Sequence, residues 1–338
     1  MKLRLFIISL IVFGCADSKE LRLQKFLLKG NLSLKEHATE QALYYFNEAL
    51  KIDPCFADAL NNLGTLHFQA KRWEEALPLY NKAIDCDPMF VSAYFNRANT
   101  FYELKEYFNA EKDIKNIALT KPDTAVVYFM KGLVDTKMRN FNEALVAFEK
   151  AIKLDSGNAE YWINHGTVNY YLKRFPEAEK DLALAMRINP SEPNIFNTLS
   201  MIEISKGNAA AAMTQIEKAL KLAPGQAYFL NNRGFIYLMQ NKLQEALVDI
   251  DESILMDPEN GWAYRNKGIY RMLSGDYDRA AKLLIQALAM DPFIDGVHFY
   301  LGSAYLKSGR KKEACEQFDL SEKAGDKMLT VDLIKGCR

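Results

Sequence analysis

The run Ala57–Pro88, ADALNNLGTLHFQAKRWEEALPLYNKAIDCDP, is one copy of a unit that recurs through almost the whole chain. Its closing proline returns as Pro54, Pro88, Pro122, Pro190, Pro224, Pro258 and Pro292, all separated by multiples of 34 residues, with Ser156 in the one missing slot. A fixed period of this length points to an array of supersecondary units, provided that the other columns keep register. Counting Ala57 as position 1, position 20 is Ala42, Ala76, Ala110, Ala144, Ala178, Ala212, Ala246, Ala280 and Ala314. Position 8 is glycine except for Ala98 and Ser200.

Small residues at fixed slots let two helix backbones approach, and bulky slots between them supply buried area. Position 24 is apolar throughout, from Phe46 and Tyr80 to Leu284 and Phe318. Positions 20, 24 and 27 share one helical face, being four and three residues apart. Each unit therefore reads as helix, tight turn, helix, then a stop such as Asp87-Pro88 or Asn189-Pro190.

The pattern resembles the tetratricopeptide repeat. Trp162 with Gly166, Leu63 with Gly64, Tyr107 with Ala110, and Tyr80, Ala83 and Pro88 fall on that family's slots. The match covers nine consecutive repeats over 23–324, with starts at 23, 57, 91, 125, 159, 193, 227, 261 and 295. The resemblance implies an all-α, right-handed superhelical solenoid. Ile117, at a slot otherwise Ala or Ser, is expected to push the helices of the third repeat apart. The segment 325–338, with Met328, Leu329, Val331, Leu333 and Ile334, is expected to form a short capping helix, because terminal repeats need cover.

Ahead of the array, Lys2 and Arg4 precede an apolar run from Leu5 to Phe13, too short to span a bilayer as a helix and suited to the core of a signal peptide. Val12-Phe13-Gly14-Cys15 resembles the lipobox of bacterial lipoproteins, although Phe13 occupies a slot that is usually small. The expectation is a signal peptide over 1–14, a lipidated Cys15, and a tether over 15–22. An array of this kind would face the periplasm or cell exterior from a bacterial membrane, the outer one favoured.

The balance of 43 basic and 43 acidic residues gives no excess of positive charge to attract nucleic acid. The four histidines, His37, His67, His165 and His298, occupy different repeat slots and form no metal motif. No phosphate-binding GK[ST], no HExxH and no GxSxG is present, so no cofactor, metal or small-molecule substrate is expected and the chain reads as non-catalytic. Four cysteines follow Cys15 in a compartment that permits disulfides. Cys315 and Cys337 could bridge and fasten the tail over the last repeat, with free thiols as the alternative; Cys55 with Cys86 is the less favoured pair.

What remains is surface. The resemblance implies that positions 2, 5, 6, 9, 12 and 13 line a concave groove. Position 6 is asparagine in five repeats, Asn62, Asn96, Asn164, Asn232 and Asn266. In related long arrays such amides hold the main chain of an extended peptide, and an amide suits this because it both donates and accepts. Phe95, Tyr102, Phe129, Met130, Tyr170, Tyr171, Phe235, Trp262, Phe299 and Tyr300 share the groove slots, and aromatics with methionine suit an apolar extended or helical partner. A clamp for a C-terminal carboxylate needs cations where this chain has Asn61, Asn96, Val126 and Met130, which disfavours it. The expected function is a protein-binding scaffold in envelope assembly or recruitment. The alternatives are a self-associating structural protein and, more remotely, a repeat module that serves an enzyme.

Overall fold

At the fifteenth position of every repeat the backbone turns left-handed. His37, Lys71, Lys105, Arg139, Lys173, Gly207, Asn241, Gly275 and Gly309 have φ between 57° and 81°. A left-handed residue ends a helix and lets the next N–H groups turn back to its last carbonyls. In the second repeat Lys71 N donates to Phe68 O at 2.9 Å and Arg72 N to His67 O at 2.9 Å. Six of the second helices end on Asp or Asn, and in five of these the side chain accepts the N–H two residues on, as Asp53 does from Cys55 and Asp87 from Met89, at 2.9 and 3.0 Å; α12 ends instead on Ala223 and α18 on Gly325. The proline between them cannot continue the helix. The fourth repeat ends on Asp155 in the same extended conformation without a proline, so the loss at Ser156 does not lengthen its helix.

The computed structural model describes residues 18–120, 124–326 and 328–337. The expected signal peptide, Cys15 and the proline stop Pro122 lie outside the described residues. Among those described there are nineteen helices and no strand. The first compact unit, ending at Ser156, holds α1 (Lys19–Lys35), α2 (Thr39–Ile52), α3 (Ala57–Gln69), α4 (Trp73–Cys86), α5 (Val91–Glu103), α6 (Tyr107–Thr120), α7 (Ala125–Lys137) and α8 (Phe141–Leu154). The second, from Gly157, holds α9 (Ala159–Tyr171), α10 (Phe175–Ile188), α11 (Pro193–Ser205), α12 (Ala209–Leu222), α13 (Ala227–Met239), α14 (Leu243–Met256), α15 (Gly261–Leu273), α16 (Tyr277–Met290), α17 (Val297–Lys307), α18 (Lys311–Ala324) and α19 (Val331–Lys335). The tether is shorter than expected: Ser18 caps α1 by accepting the Leu21 N–H, so residues 19–22 are already helical.

Each odd-numbered helix up to α17 pairs with its successor through the small and bulky columns. All nine position-20 alanines are fully buried. Facing them, the position-24 side chain fills the space that the position-8 glycine leaves: a Cβ added to Gly132 would stand 2.5 Å from the Phe148 ring, and one added to Gly64 would stand 2.7 Å from Tyr80. Burying one such ring contributes about 1.5 to 3 kcal/mol. Ile117 is buried in one cluster with Val127 and Met130, where the third repeat meets the fourth. Every core cluster starts at or beyond Leu23.

From α3 on, the first helices of successive repeats within a unit touch, as α3 with α5 and α13 with α15 do, whereas no second helix packs on the second helix of a neighbouring repeat in the same unit. The first helices therefore lie on the tighter, inner face of each stack. At the end of the second unit the tail is fastened more by polar and covalent links than by burial. Asp326 accepts from Gly296 N and from Ser321 Oγ at 3.2 and 2.7 Å, and Cys315 is bonded to Cys337. The expected capping helix is reduced to the five residues of α19, none of them buried.

Candidate functional site

The position-6 asparagines do not point away from the array. In three repeats this side chain reaches the position-5 side chain of the repeat before it. Asn96 Nδ2 donates to Asn61 Oδ1 at 2.8 Å, Asn232 Nδ2 to Asn197 Oδ1 at 2.8 Å, and Asn266 Nδ2 to Asn231 Oδ1 at 2.7 Å. Asn62 Nδ2 reaches Asn31 at 2.9 Å, and Asn164 Nδ2 bonds to its own helix at Glu160 O. The amide nitrogens are thus occupied inside the chain. The oxygens of Asn96, Asn164 and Asn232 accept no hydrogen bond among the described residues, which leaves each as an acceptor for a partner's N–H.

Two of the expected groove residues are corrected by burial. Met130 is 3 % exposed and belongs to the core between the third and fourth repeats, because its side chain follows the same backward path that Asn96 takes toward Asn61. Asn266 is 1 % exposed, its oxygen gripped by Arg265 Nε and Nη2 at 3.0 and 2.7 Å. Of the aromatics only Tyr171 is well exposed. Phe95 and Tyr102 lie half-buried on the first unit's core, and Phe129 packs on Phe148 with ring centroids 5.8 Å apart. In the second unit Tyr170, Phe235, Trp262 and Tyr300 are half-buried against core clusters, and Phe299 lies 6.4 Å from Phe318.

Arg265, absent from the expected set, organises the inner face of the second unit. Its guanidinium sits over Phe235 at 4.6 Å and over Trp262 at 4.9 Å, and donates to Asp295 O at 2.9 Å. It forms no ion pair with a carboxylate among the described residues. Burial holds its pKa below the ordinary range against the opposing influence of Tyr300 and Asp295. Burial likewise pushes up the phenols of Tyr170 and Tyr300, both of which act electrostatically on Arg265. No single-repeat column marks this residue; its only sequence sign is a lone cation at position 5, where the other repeats carry apolar or amide side chains.

A second column also went unread. Position 7 pairs with position 23, sixteen residues on, across the two helices of alternate repeats: Arg97 with Asp113, His165 with Asp181, and Arg233 with Asp249, at 2.6 to 2.7 Å. The hydrogen bonds to Asp113 and Asp249 raise the arginine pKa values. These pairs tie helix to helix inside a repeat, as expected of buried charges that need partners. His67 and His298 likewise face Glu75 and Gln317. Among the described residues no cluster of three candidate ligands could hold a metal ion, and no helix is long and apolar enough to cross a membrane.

Both cysteine pairs are bonded, including the less favoured one. Cys55 and Cys86 stand at positions 33 and 30 of successive repeats, and stacking brings their Cα atoms within 5.4 Å. Their separation of 31 residues hides this, because closeness here depends on how the first repeat sits on the second.

Family models described as tetratricopeptide repeat match residues 57–90, 129–193 and 265–327, 193–226, and 216–248, more than half of the chain together. Sperm-associated antigen 1 of Mus musculus is 28% identical over 86 residues, 25% of this chain and 10% of that protein, so the chain spans about a tenth of this relative. Among solved structures, the APC/C hetero-tetramer Cut9-Hcn1 aligns over 94% of this chain and 63% of its own, with 19% identity and a TM-score of 0.65. Pseudomonas aeruginosa pilF aligns over 63% of this chain and 97% of its own, with 20% identity and a TM-score of 0.54. At these identities the likeness shows the fold alone.

Proposed function

Because this chain belongs to the tetratricopeptide repeat family, we propose that its inner face is the working surface of a protein–protein interaction scaffold, holding an extended or helical segment of another protein. The observation that carries this reading is the set of unoccupied amide oxygens at Asn96, Asn164 and Asn232, next to half-buried aromatics such as Phe95, Phe129 and Phe235. In the second unit the acceptor recurs two repeats apart, at Asn164 and Asn232, and such an acceptor takes main-chain N–H groups whatever the partner's side chains are, while the aromatic edges supply apolar contact. Several shallow contacts on one chain gain strength together. One of the similar structures is itself a hetero-tetramer, Cut9 with Hcn1.

The rest of the reading comes from the sequence. Cleavage before Cys15 and acylation of its thiol would hold the array at a bacterial envelope membrane, the outer one favoured, where it recruits or assembles envelope proteins. The chain carries no nucleophile, base and orienting group in a set, so the scaffold acts by binding and not by chemistry.

A crosslinked pull-down from membranes tests the groove. The Phe95→Ala, Asn96→Ala, Phe129→Ala variant, checked for an unchanged fold, should lose the envelope proteins captured by the wild type. Capture of the same set by both would move binding to the second helices or the termini. Radiolabelled palmitate should enter the full chain and not its Cys15→Ala variant; equal labelling of the two would end the lipoprotein reading.

A further inference from the structure

The first helix has a face that nothing in the array covers. Within the first unit α3 packs on α2, α5 on α4 and α7 on α6; α1 has no such preceding neighbour among the described residues. Its buried side is Leu23, Gly30 and Ser33. The opposite side carries Leu21, Leu28 and Leu32, spaced seven and four apart and so on one stripe, with exposures of 46%, 60% and 47%. At 100° per residue, Lys25 and Lys35 fall about 40° to either side of that stripe, with Lys29 and Arg22 beyond Lys25. The chain as a whole is charge-balanced, yet α1 holds five cations, with Lys19, against the single carboxylate Glu20. Lys19 is paired with Asp53 and Lys29 lies over the Tyr45 ring at 5.5 Å, while Lys25 and Lys35 border the leucines.

We propose that this face of α1 lies on an anionic lipid surface, leucines into the acyl boundary and the lysines snorkelling to the headgroups. A leucine stripe flanked by lysines is what an interfacial helix presents. A second copy fits the face less well, since face-to-face packing would set one group of cations against another. The proposal rests on the anchored reading only for delivery: α1 starts four residues after Cys15, a reach of about 14 Å at most. At that range the helix would fix which way the first repeat meets the membrane.

The array from Ser18 onward retains every described core cluster and the α1 cap but no anchor, so vesicle co-sedimentation of this form, once shown to melt cooperatively, isolates the helix. It should bind phosphatidylglycerol vesicles at low salt and leave phosphatidylcholine vesicles unbound. Lys25→Gln and Lys35→Gln should each weaken binding about fivefold. The Leu21→Ser, Leu28→Ser, Leu32→Ser variant should lose binding while its melting stays unchanged, because those side chains are exposed. No binding by the folded array, or equal binding by the leucine variant, overturns the proposal. So does a dimer in sedimentation equilibrium that the leucine variant abolishes without any vesicle binding, which would assign the face to a second copy. Failure of palmitate labelling at Cys15 would remove the anchor and leave the vesicle result standing.

Discussion

In the first unit Asn96 reaches back to Asn61 and its oxygen stays open; in the second, Asn266 reaches back to Asn231 and its oxygen is closed by Arg265. The backbone register is the same, and the difference lies at position 5. Where that slot holds Phe95, the inner face keeps a half-buried ring and an acceptor. Where it holds Arg265, the cation binds Trp262, Phe235 and Asp295 and fills the face from within. One column can therefore serve partner binding in one stretch and internal packing in another. The two units also fill position 24 differently. The first uses Phe46, Tyr80 and Phe148 around a lone Ile114, and the second uses aliphatic side chains until Phe318 closes the array.

Arg265→Ala should break this comparison most sharply. It strands the buried Asn266 oxygen and Asp295 carbonyl and opens a gap between two rings, a loss of about 2 to 4 kcal/mol. Asn61→Ala, which removes the matching link in the first unit, should cost about 1 kcal/mol. Denaturant unfolding of both variants decides the point; equal losses would mean that Arg265 adds nothing beyond the shared ladder.

A smaller contrast is expected at position 8. Gly132→Ala drives a Cβ against the Phe148 ring at 2.5 Å and should cost about 1 to 3 kcal/mol by overpacking. At Gly166, where Leu182 replaces the ring, the nearest atom stands at 3.2 Å. There Ala should be near neutral, since the mild crowding is offset by up to about 1 kcal/mol of helix propensity. Thermal melts of the pair would show whether aromatic filling is what makes the glycine obligatory.

The smallest effect is confined to alkaline solution. Burial pushes the Tyr80 phenol up to about 12 from its ordinary 10. Below pH 10 neither the folded nor the unfolded form is ionised, so stability is unaffected. Between pH 10 and pH 12 the unfolded phenol gives up its proton first and the fold loses stability. Tyr80→Phe should remove that part of the alkaline slope while leaving neutral-pH stability within the value of one weak hydrogen bond to Thr65. An unchanged slope would mean that Tyr80 ionises as readily folded as unfolded.

Much of the fold was legible because a repeat fixes its own interior. The columns at positions 8, 20 and 24 describe contacts between two helices joined by one tight turn, and spacing alone brings those residues together. The left-handed turn residue was less legible, since six of the nine are not glycine. The candidate site was read only in part. The sequence puts Asn62, Asn96, Asn164 and Asn232 in the groove column, but which atoms Asn62, Asn96 and Asn232 leave open depends on the repeat before, and Asn164 turns to its own helix.

By itself the sequence determined the period, the helix pairs and most of the stops, because each follows from residues within one turn or one hairpin of each other. Only the tertiary structure decided that Met130 is core, that Arg265 closes the second unit's inner face, that Cys55 meets Cys86, and that the leucine side of α1 is bare. Those outcomes turn on how one repeat is set against the next. A small change in that stacking moves a side chain from groove to core without altering its place in the period.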